Sequence, residues 1–456
     1  MWTIERLAQA TEGQWIQPLH ISSRIGRIIT DTRQIQAGDV FLALKGERFD
    51  AHDFVAQAAA AGAVAAIVAR PIADVSIAQL QVADTRLALG ALGAYHRQQF
   101  ASLQVVALTG SSGKTTTKQM LGSILALSAP TLMTRGNLNN DLGVPMMLLE
   151  LTADHQYAVM ELGANHVGEI AYTTQLVQPQ VAAVLNIGTA HLGEFGGREG
   201  IARAKSEIFQ GLPASGTAII PSAGDFQAVL AAAAAPYPTQ RFGQGGEVFA
   251  SAIERLPTHS QFILNTPDGQ TAIQLPFAGQ HNIDNALAAA ACALALGIPL
   301  AQIATGLAQA TNVKGRLAFH HRELLTVIDD TYNANPHSVR AAAQVLAAQA
   351  GVKVLVLGDI GELGDEAAAE HQALGQDLAA MDLQHVLAVG EYARHTIAGV
   401  QRQTDQISAH AYTDKASLWT DLQAVLAAQS GMVSVLFKGS RSTTMETLCE
   451  ALLEAR

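Results

Sequence analysis

The chain alternates short apolar runs with longer amphipathic stretches, and the alternation changes character twice along its 456 residues. Up to about residue 84 it pairs β-like runs, "DVFLAL" at 39 to 44 and "AVAAIVA" at 63 to 69, with an alanine-rich helical stretch around Phe54 to Gly62. This predicts a small α/β domain over residues 1 to 84. A second unit, 85 to 313, opens on the helical "TRLALGALGAYHRQQF" and carries strand-like runs at 103 to 109, 157 to 163 and 181 to 188, with helices between them. Its longest apolar run, Ala286 to Ala301, is mostly alanine and predicts a buried helix ending at Gly297. The third unit, 314 to 456, alternates "LLTVIDD", "KVLVLGD", "HVLAVG" and "VSVLFKG" with helical stretches. Strand and helix in regular alternation build a parallel sheet covered by helices on both faces, so the expected class is α/β throughout.

Charge and composition narrow the partners. A formal net charge of -11, with 28 Lys and Arg that form no runs, excludes a nucleic-acid partner, because phosphate neutralisation needs clustered cations. Cys292 and Cys449 both sit in apolar text and read as buried thiols, which fits a reducing compartment. The first twenty residues contain Glu5, Arg6 and Glu12 where a signal peptide needs an apolar core. No apolar run reaches the roughly 20 residues of a membrane span. The expectation is a cytoplasmic monomer with no transmembrane segment.

Candidate chemistry begins at "LTGSSGKTTT", residues 108 to 117, between a strand and a helix. Backbone N–H groups of Gly110, Ser111, Ser112 and Gly113 can cradle phosphate oxygens, Lys114 supplies a cation, and Thr115 with Thr116 opens the helix, Thr115 being a magnesium ligand. The usual first glycine of such a loop is replaced by Leu108. Ligands of open parallel sheets gather at the carboxyl ends of strands. Glu161, at such an end in "MELGANHVGEI", is a candidate magnesium ligand. His191 follows another strand and reads either as a hydrogen-bonding histidine or as a metal ligand. Lys205, fourteen residues further on, reads from its own chemistry as an exposed helix lysine or a phosphate contact.

Three more clusters follow. Asn282 and Asn285 in "GQHNIDNALAA" share a helix face, where they cap the helix or read a base edge or phosphate. Arg316 in "VKGRLAF" can grip a phosphoryl group bidentately, and Asp330, at a strand end, can hold a ribose hydroxyl. Asn333 and Asn335 precede Pro336 and form either a turn or a binding surface.

Together "TGSSGKTT", "GNLNN" (136 to 140), "GQHNIDNALAA", "DDTYNANP", "LGDIGELG" (357 to 364) and "KGSRS" (438 to 442) resemble the Mur ligases, the ATP-dependent amide ligases of the peptidoglycan stem, over nearly the whole chain. "DDTYNANP" points to the dipeptide-adding branch, and the "DNPR" of the diaminopimelate-adding branch is absent. Pro221 in "AIIPSAGDF" stands where the family pattern has asparagine. The resemblance implies an amino-terminal UDP-sugar domain, a central ATPase and a Rossmann-like carboxy-terminal domain for the incoming dipeptide. It implies substrates ATP, a UDP-muramoyl tripeptide and D-alanyl-D-alanine, with Mg2+ as cofactor. It also implies that Lys205 is carbamylated, becoming an oxygen ligand that serves magnesium beside His191. By the same resemblance Asp31, Thr32 and Arg33, with Asn137, Asn139 and Asn140, face the UDP sugar. Asn282 and Asp330 face adenosine, and Asn333, Asn335 and the "KGSRS" loop face the dipeptide. A folylpolyglutamate-type ligase would share the ATPase core but has no place for the amino-terminal "DTR" domain; a kinase or a non-catalytic scaffold would form no amide.

Overall fold

The computed structural model describes residues 2–16, 25–46, 49–188 and 195–455. The first unit is a five-stranded sheet in the order Gln14–Trp15, Ala78–Gln81, Ala65–Val68, Val40–Leu42, Ile28–Ile29, parallel except for its first member. Val40–Leu42 and Ala65–Val68 are buried at every residue, because apolar clusters cover both faces. Helix Thr85–Gln98 starts where Asp84 accepts hydrogen bonds from the N–H groups of Arg86 and Leu87. It is shared between units: Leu89 and Leu92 complete the first core, while Gly93 lets the helix approach Pro145 of the second.

The central sheet has six strands, all parallel, in the order Thr239–Phe242, Thr217–Pro221, Val181–Val184, Gln104–Thr109, Tyr157–Glu161, Thr131–Met133. The strand that feeds the glycine loop lies at its middle, so its carboxyl end is flanked by those of two neighbours. Helices Lys114–Leu125 and Gln280–Ala295 share one apolar cluster on one face. Ala286 to Ala293 are buried there, and their small side chains allow close helix packing. The helix ends as the composition predicts, with Gly297 at φ 76°.

A three-stranded antiparallel sheet, Phe249–Arg255, Ser260–Thr266 and Gly269–Leu275, was not anticipated from the sequence. Its alternating residues Phe262, Leu264, Ile273 and Leu275 are buried against the same cluster. The local signal was weak: "SQFILNT" carries a continuous Phe-Ile-Leu run whose burial alternates only in the sheet, and the hairpin turns at Pro267-Asp268, between the paired Thr266 and Gly269.

The third unit orders its strands Ala318–Arg322, Leu325–Asp330, Val433–Lys438, Val352–Gly358, His385–Val389, Ser408–Tyr412; only the first pairing is antiparallel. Two apolar clusters occupy its two faces. The last strand inserts between the second and third in sequence, so Asp330, Lys438 and Gly358 meet at one edge, the switch point where such sheets bind ligands. Among the described residues no helix is long and apolar enough to cross a membrane.

Candidate active site

The glycine loop is braced from beneath. Asn186, just past strand Val181–Val184, accepts from the Ser112 N–H at 3.0 Å and donates to Ser112 O at 3.1 Å. The Gly188 N–H donates to Ser111 Oγ at 2.8 Å, and the Ser111 N–H donates to Asn186 O at 3.2 Å. Gly113 sits at φ 79°, a conformation that favours glycine, and a Cβ there would collide with Asn285 Oδ1. The loop's shape therefore depends on two elements distant in sequence. Lys114 Nζ donates to Gly110 O at 2.7 Å.

Beside the loop, Thr115 Oγ1 donates to Glu161 Oε2 at 3.1 Å, and Asn139 Nδ2 donates to Glu161 Oε1 at 2.8 Å. Lys118 Nζ lies 3.4 Å from Glu161 Oε2 and donates to Thr134 O at 2.6 Å. Burial alone would raise the Glu161 carboxyl, but Lys114, Lys118 and the Asn139 amide outweigh it and hold the pKa below its ordinary value. Burial lowers the Lys114 pKa, with Glu161 opposing and Arg316 adding to the shift.

Lys205 is 3% exposed on helix Arg198–Ser206. This corrects its reading as a surface lysine. Burial first and the neighbouring Lys114 second push its pKa well below that of a free amine. Only an uncharged amine can add CO2, and burial shifts Lys205 toward that form. His191 lies outside the described residues.

Asn282 and Asn285 are buried, and Gly279 rather than either asparagine is the N-cap of their helix. Asn285 Nδ2 donates to Asn282 Oδ1 at 3.1 Å, and Asn282 Nδ2 donates to Ala278 O at 2.8 Å. The capping alternative is thereby removed. In the third unit Asp330 accepts from Lys438 Nζ at 2.6 Å and from the Leu317 N–H at 3.2 Å. Burial keeps its pKa above the ordinary value even against Lys438. Asn333 O accepts from Lys438 at 2.9 Å. Asn335 caps helix Pro336–Ala347 through a reciprocal bond with Ser338, and its Nδ2 reaches across to donate to Ser111 O at 3.3 Å.

Most of these side chains line one cleft of about 1190 Å³ between the central and third units, Lys118 and Thr134 excepted. It gathers the glycine loop with Lys114, Thr115 and Thr116, then Glu161, Lys205, Asn282 and Asn285. Asn137, Asn139 and Asn140 line it too, and from the third unit Arg316, Asp330, Asn333 and Asn335. Asp31, Thr32 and Arg33 do not line it. They form a short turn on the first unit, where Arg33 is exposed and holds the Asp31 carboxyl down to about 2 through its side-chain and backbone hydrogen bonds. Pro221 lines the cleft at a strand end.

Sequence reasoning missed Lys118, Asn186 and Arg198. Lys118 was signalled by its place one helical turn after Lys114, and Asn186 by its position at a strand's carboxyl end. Arg198, which lines the cleft and pairs with Asp225 at 2.7 Å, had no local signal.

Family models match the chain in three blocks: the Mur ligase family catalytic domain over 24–97, the Mur ligase middle domain over 108–293 and the Mur ligase glutamate ligase domain over 315–441. The chain belongs to the Mur ligase family. This Mur ligase is 44% identical over 99% of its length to the UDP-N-acetylmuramoyl-tripeptide–D-alanyl-D-alanine ligase of Escherichia coli K12, covering 98% of that relative. The crystal structure of MurF from Acinetobacter baumannii superposes with TM-score 0.95 at 57% identity, covering 99% of each chain. MurF of Thermotoga maritima, solved in complex with ADP, gives TM-score 0.83 at 28% identity over 93% of this chain and 96% of that one.

Proposed function

We propose that this Mur ligase joins D-alanyl-D-alanine to the terminal carboxylate of a UDP-N-acetylmuramoyl tripeptide, with ATP as the energy source, in cytoplasmic peptidoglycan precursor synthesis. The observation that carries the reading is the convergence, in one cleft, of a phosphate loop with Lys114 and a second cationic side chain, Arg316, from the neighbouring unit. Full-length similarity to relatives of that name supports the choice of substrates.

The tripeptide carboxylate attacks the γ-phosphorus of ATP, the bond to ADP breaks, and an acyl phosphate forms. The dipeptide amine then attacks the acyl carbon, the carbon–oxygen bond to phosphate breaks, and the amine proton leaves. Both reactants of the first step are anionic, so the barrier is dominated by charge repulsion. Lys114 and Arg316 offset it at the transferring group. The loop N–H groups orient the phosphates.

The donor set fits magnesium. Thr115 and Glu161 bring a hydroxyl and a carboxylate within 3.1 Å of each other beside the loop, both of them hard oxygen donors. Lys205 as its carbamate, with His191, would supply the remaining protein ligands, and its burial, which pushes the amine toward its uncharged form, supports that modification. Magnesium, when bound, neutralises phosphate charge. We assign Asp31, Thr32 and Arg33 to the UDP sugar along with Asn137, Asn139 and Asn140, Asn282 and Asp330 to adenosine, and Asn333 and Asn335 to the dipeptide side. The units 1–84, 85–313 and 314–456 would then bind sugar nucleotide, ATP and dipeptide respectively.

Incubation with ATP, magnesium, UDP-muramoyl tripeptide and D-alanyl-D-alanine, followed by mass analysis, tests the reading. The expected products are ADP, phosphate and the pentapeptide amide. A phosphorylated tripeptide as end product, or no turnover, would overturn it.

A further inference from the structure

The segment between the central and third units changes attachment within a few residues. Ala310 is packed in the central core, and 311 to 313 are neither helix nor strand. From Lys314 onward the ties run to the third unit. Lys314 Nζ pairs with Glu450 Oε1 at 2.8 Å, and the Gly315 N–H donates to Asp329 Oδ2 at 3.2 Å. The Tyr332 N–H donates to Gly315 O at 3.1 Å, and the Leu317 N–H donates to Asp330 Oδ1 at 3.2 Å. Gly315 at φ 75° and Leu317 at φ 51° flank Arg316 in left-handed backbone. A leucine adopts that conformation only when its surroundings fix it, and these four ties do so.

The side chain of Arg316 is held differently. Its guanidinium lies over the Tyr332 ring, 4.3 Å from the centroid, and among the described residues its buried Nε has no hydrogen-bond partner. A guanidinium is weakly hydrated and planar, so an aromatic face is a suitable support. Arg316 nevertheless lines the cleft with the glycine loop and acts electrostatically on both Lys114 and Glu161. Two cations facing one loop repel until a polyanion lies between them.

We propose that Tyr332 is a positioning residue whose ring fixes the Arg316 guanidinium to the third unit, so that closure about residues 311–313 delivers this cation to the transferring phosphoryl group. The inference rests on the reading of Arg316 as a phosphoryl contact. Tyr332 lines the same cleft, and its proposed action is through Arg316. The hydroxyl has no part in this, whereas the ring face is essential.

The test uses the full chain and the complete reaction with four variants: Tyr332→Phe, Tyr332→Leu, Arg316→Ala and the double variant of the last two. Tyr332→Phe should keep kcat within about twofold of wild type. Tyr332→Leu should lower kcat by about tenfold, the scale of a lost cation–π contact, with KM for ATP changed less than threefold and Tm retained. Added to Arg316→Ala, Tyr332→Leu should cost nothing further, because its target is gone. A leucine variant with wild-type kcat, a phenylalanine variant as slow as leucine, a rise in KM for ATP alone, or additive losses in the double variant would each overturn the inference. Should Tyr332→Leu fold poorly, the phenylalanine rescue and Tm-matched Tyr332→Met carry the same comparison. If Arg316→Ala retains full activity, the phosphoryl assignment of Arg316 fails; if Arg316→Ala is slow and Tyr332→Leu is not, only the role of Tyr332 fails.

Discussion

The glycine loop at 110–113 and the turn at 329–335 face the same cleft, yet their order has different sources. The loop is braced by its own unit: Asn186 pins the Ser112 peptide on both sides, Gly188 holds Ser111 Oγ, and Asn285 crowds Gly113. These three contacts all come from the central unit. The turn is held by a buried ion pair, Lys438 with Asp330, and by a helix cap, and it reaches the loop through one bond from Asn335 to Ser111 O. One half of the site is prepared in place and the other is brought to it. On the proposed reading, the cationic charge for phosphoryl transfer is divided between a lysine held within its own unit and an arginine delivered by closure of two units.

The largest expected effect falls on the fixed half. Lys114→Ala should reduce kcat by about 10² to 10³, the usual loss for one transition-state charge partner, and steady-state phosphate release measures it. A comparable fall is expected of Lys205→Ala, since an ordinary helix lysine would tolerate truncation within about 0.5 kcal/mol. Formate or acetate should restore part of its activity in a concentration-dependent way while doing little for the wild type. Full activity of the alanine variant would remove the carbamate from the mechanism.

The delivered half should fail first in stability. Lys438→Met leaves Asp330 buried without its cation and should cost about 3 to 5 kcal/mol at pH 7 by chemical denaturation. Burial already holds the Asp330 pKa above that of the unfolded chain, so the ionised form is the costly one. Its penalty is complete above the folded-state pKa and vanishes below the ordinary value of 3.8. Loss of Lys438 raises that pKa further, so the deficit of the variant relative to wild type should shrink between pH 7 and pH 5. A deficit that is constant or grows on acidification would mean that Asp330 is not the group left uncompensated.

Two smaller changes sharpen the contrast. Asn186→Ala should loosen the loop whether or not the units are closed, weakening ATP-analogue binding by about 1 to 2 kcal/mol in calorimetry without the tripeptide. Asn335→Ser keeps an N-cap but loses the reach to Ser111 O. It should lower kcat about fivefold, roughly 1 kcal/mol, with Tm and binary ATP binding unchanged. Equal behaviour of the two variants in the binary binding measurement would erase the distinction between the halves.

Much of this was legible in the chain. The strands at 104–109, 157–161 and 325–330 and the end of the alanine helix follow from local apolar patterning and glycine. The loop was readable because strand, glycine turn, lysine and helix are contiguous. The sheet at 249–275 was not legible from alternation, because its middle strand carries the continuous run Phe262 to Leu264; its written signal was the turn at Pro267-Asp268 before Gly269. Lys205 was misread from its own surroundings, because a helix lysine is usually exposed and nothing adjacent says that helix Arg198–Ser206 packs its lysine inward. Only the family resemblance gave it a role.

By itself the sequence determined the α/β class and the glycine loop between strand and helix, and it supplied the residue types for the proposed phosphate and metal contacts, since these depend on periodicity and on neighbours within a few residues. Tertiary structure decided the rest. Which carboxylate meets Thr115, which asparagine braces the loop and which cation pairs with Asp330 are contacts across 46, 74 and 108 residues. Such contacts exist because parallel strands bring their carboxyl ends to one edge, and burial there shifts the Lys205 pKa down and the Asp330 pKa up. No local pattern encodes that edge, because it forms only when the sheet does.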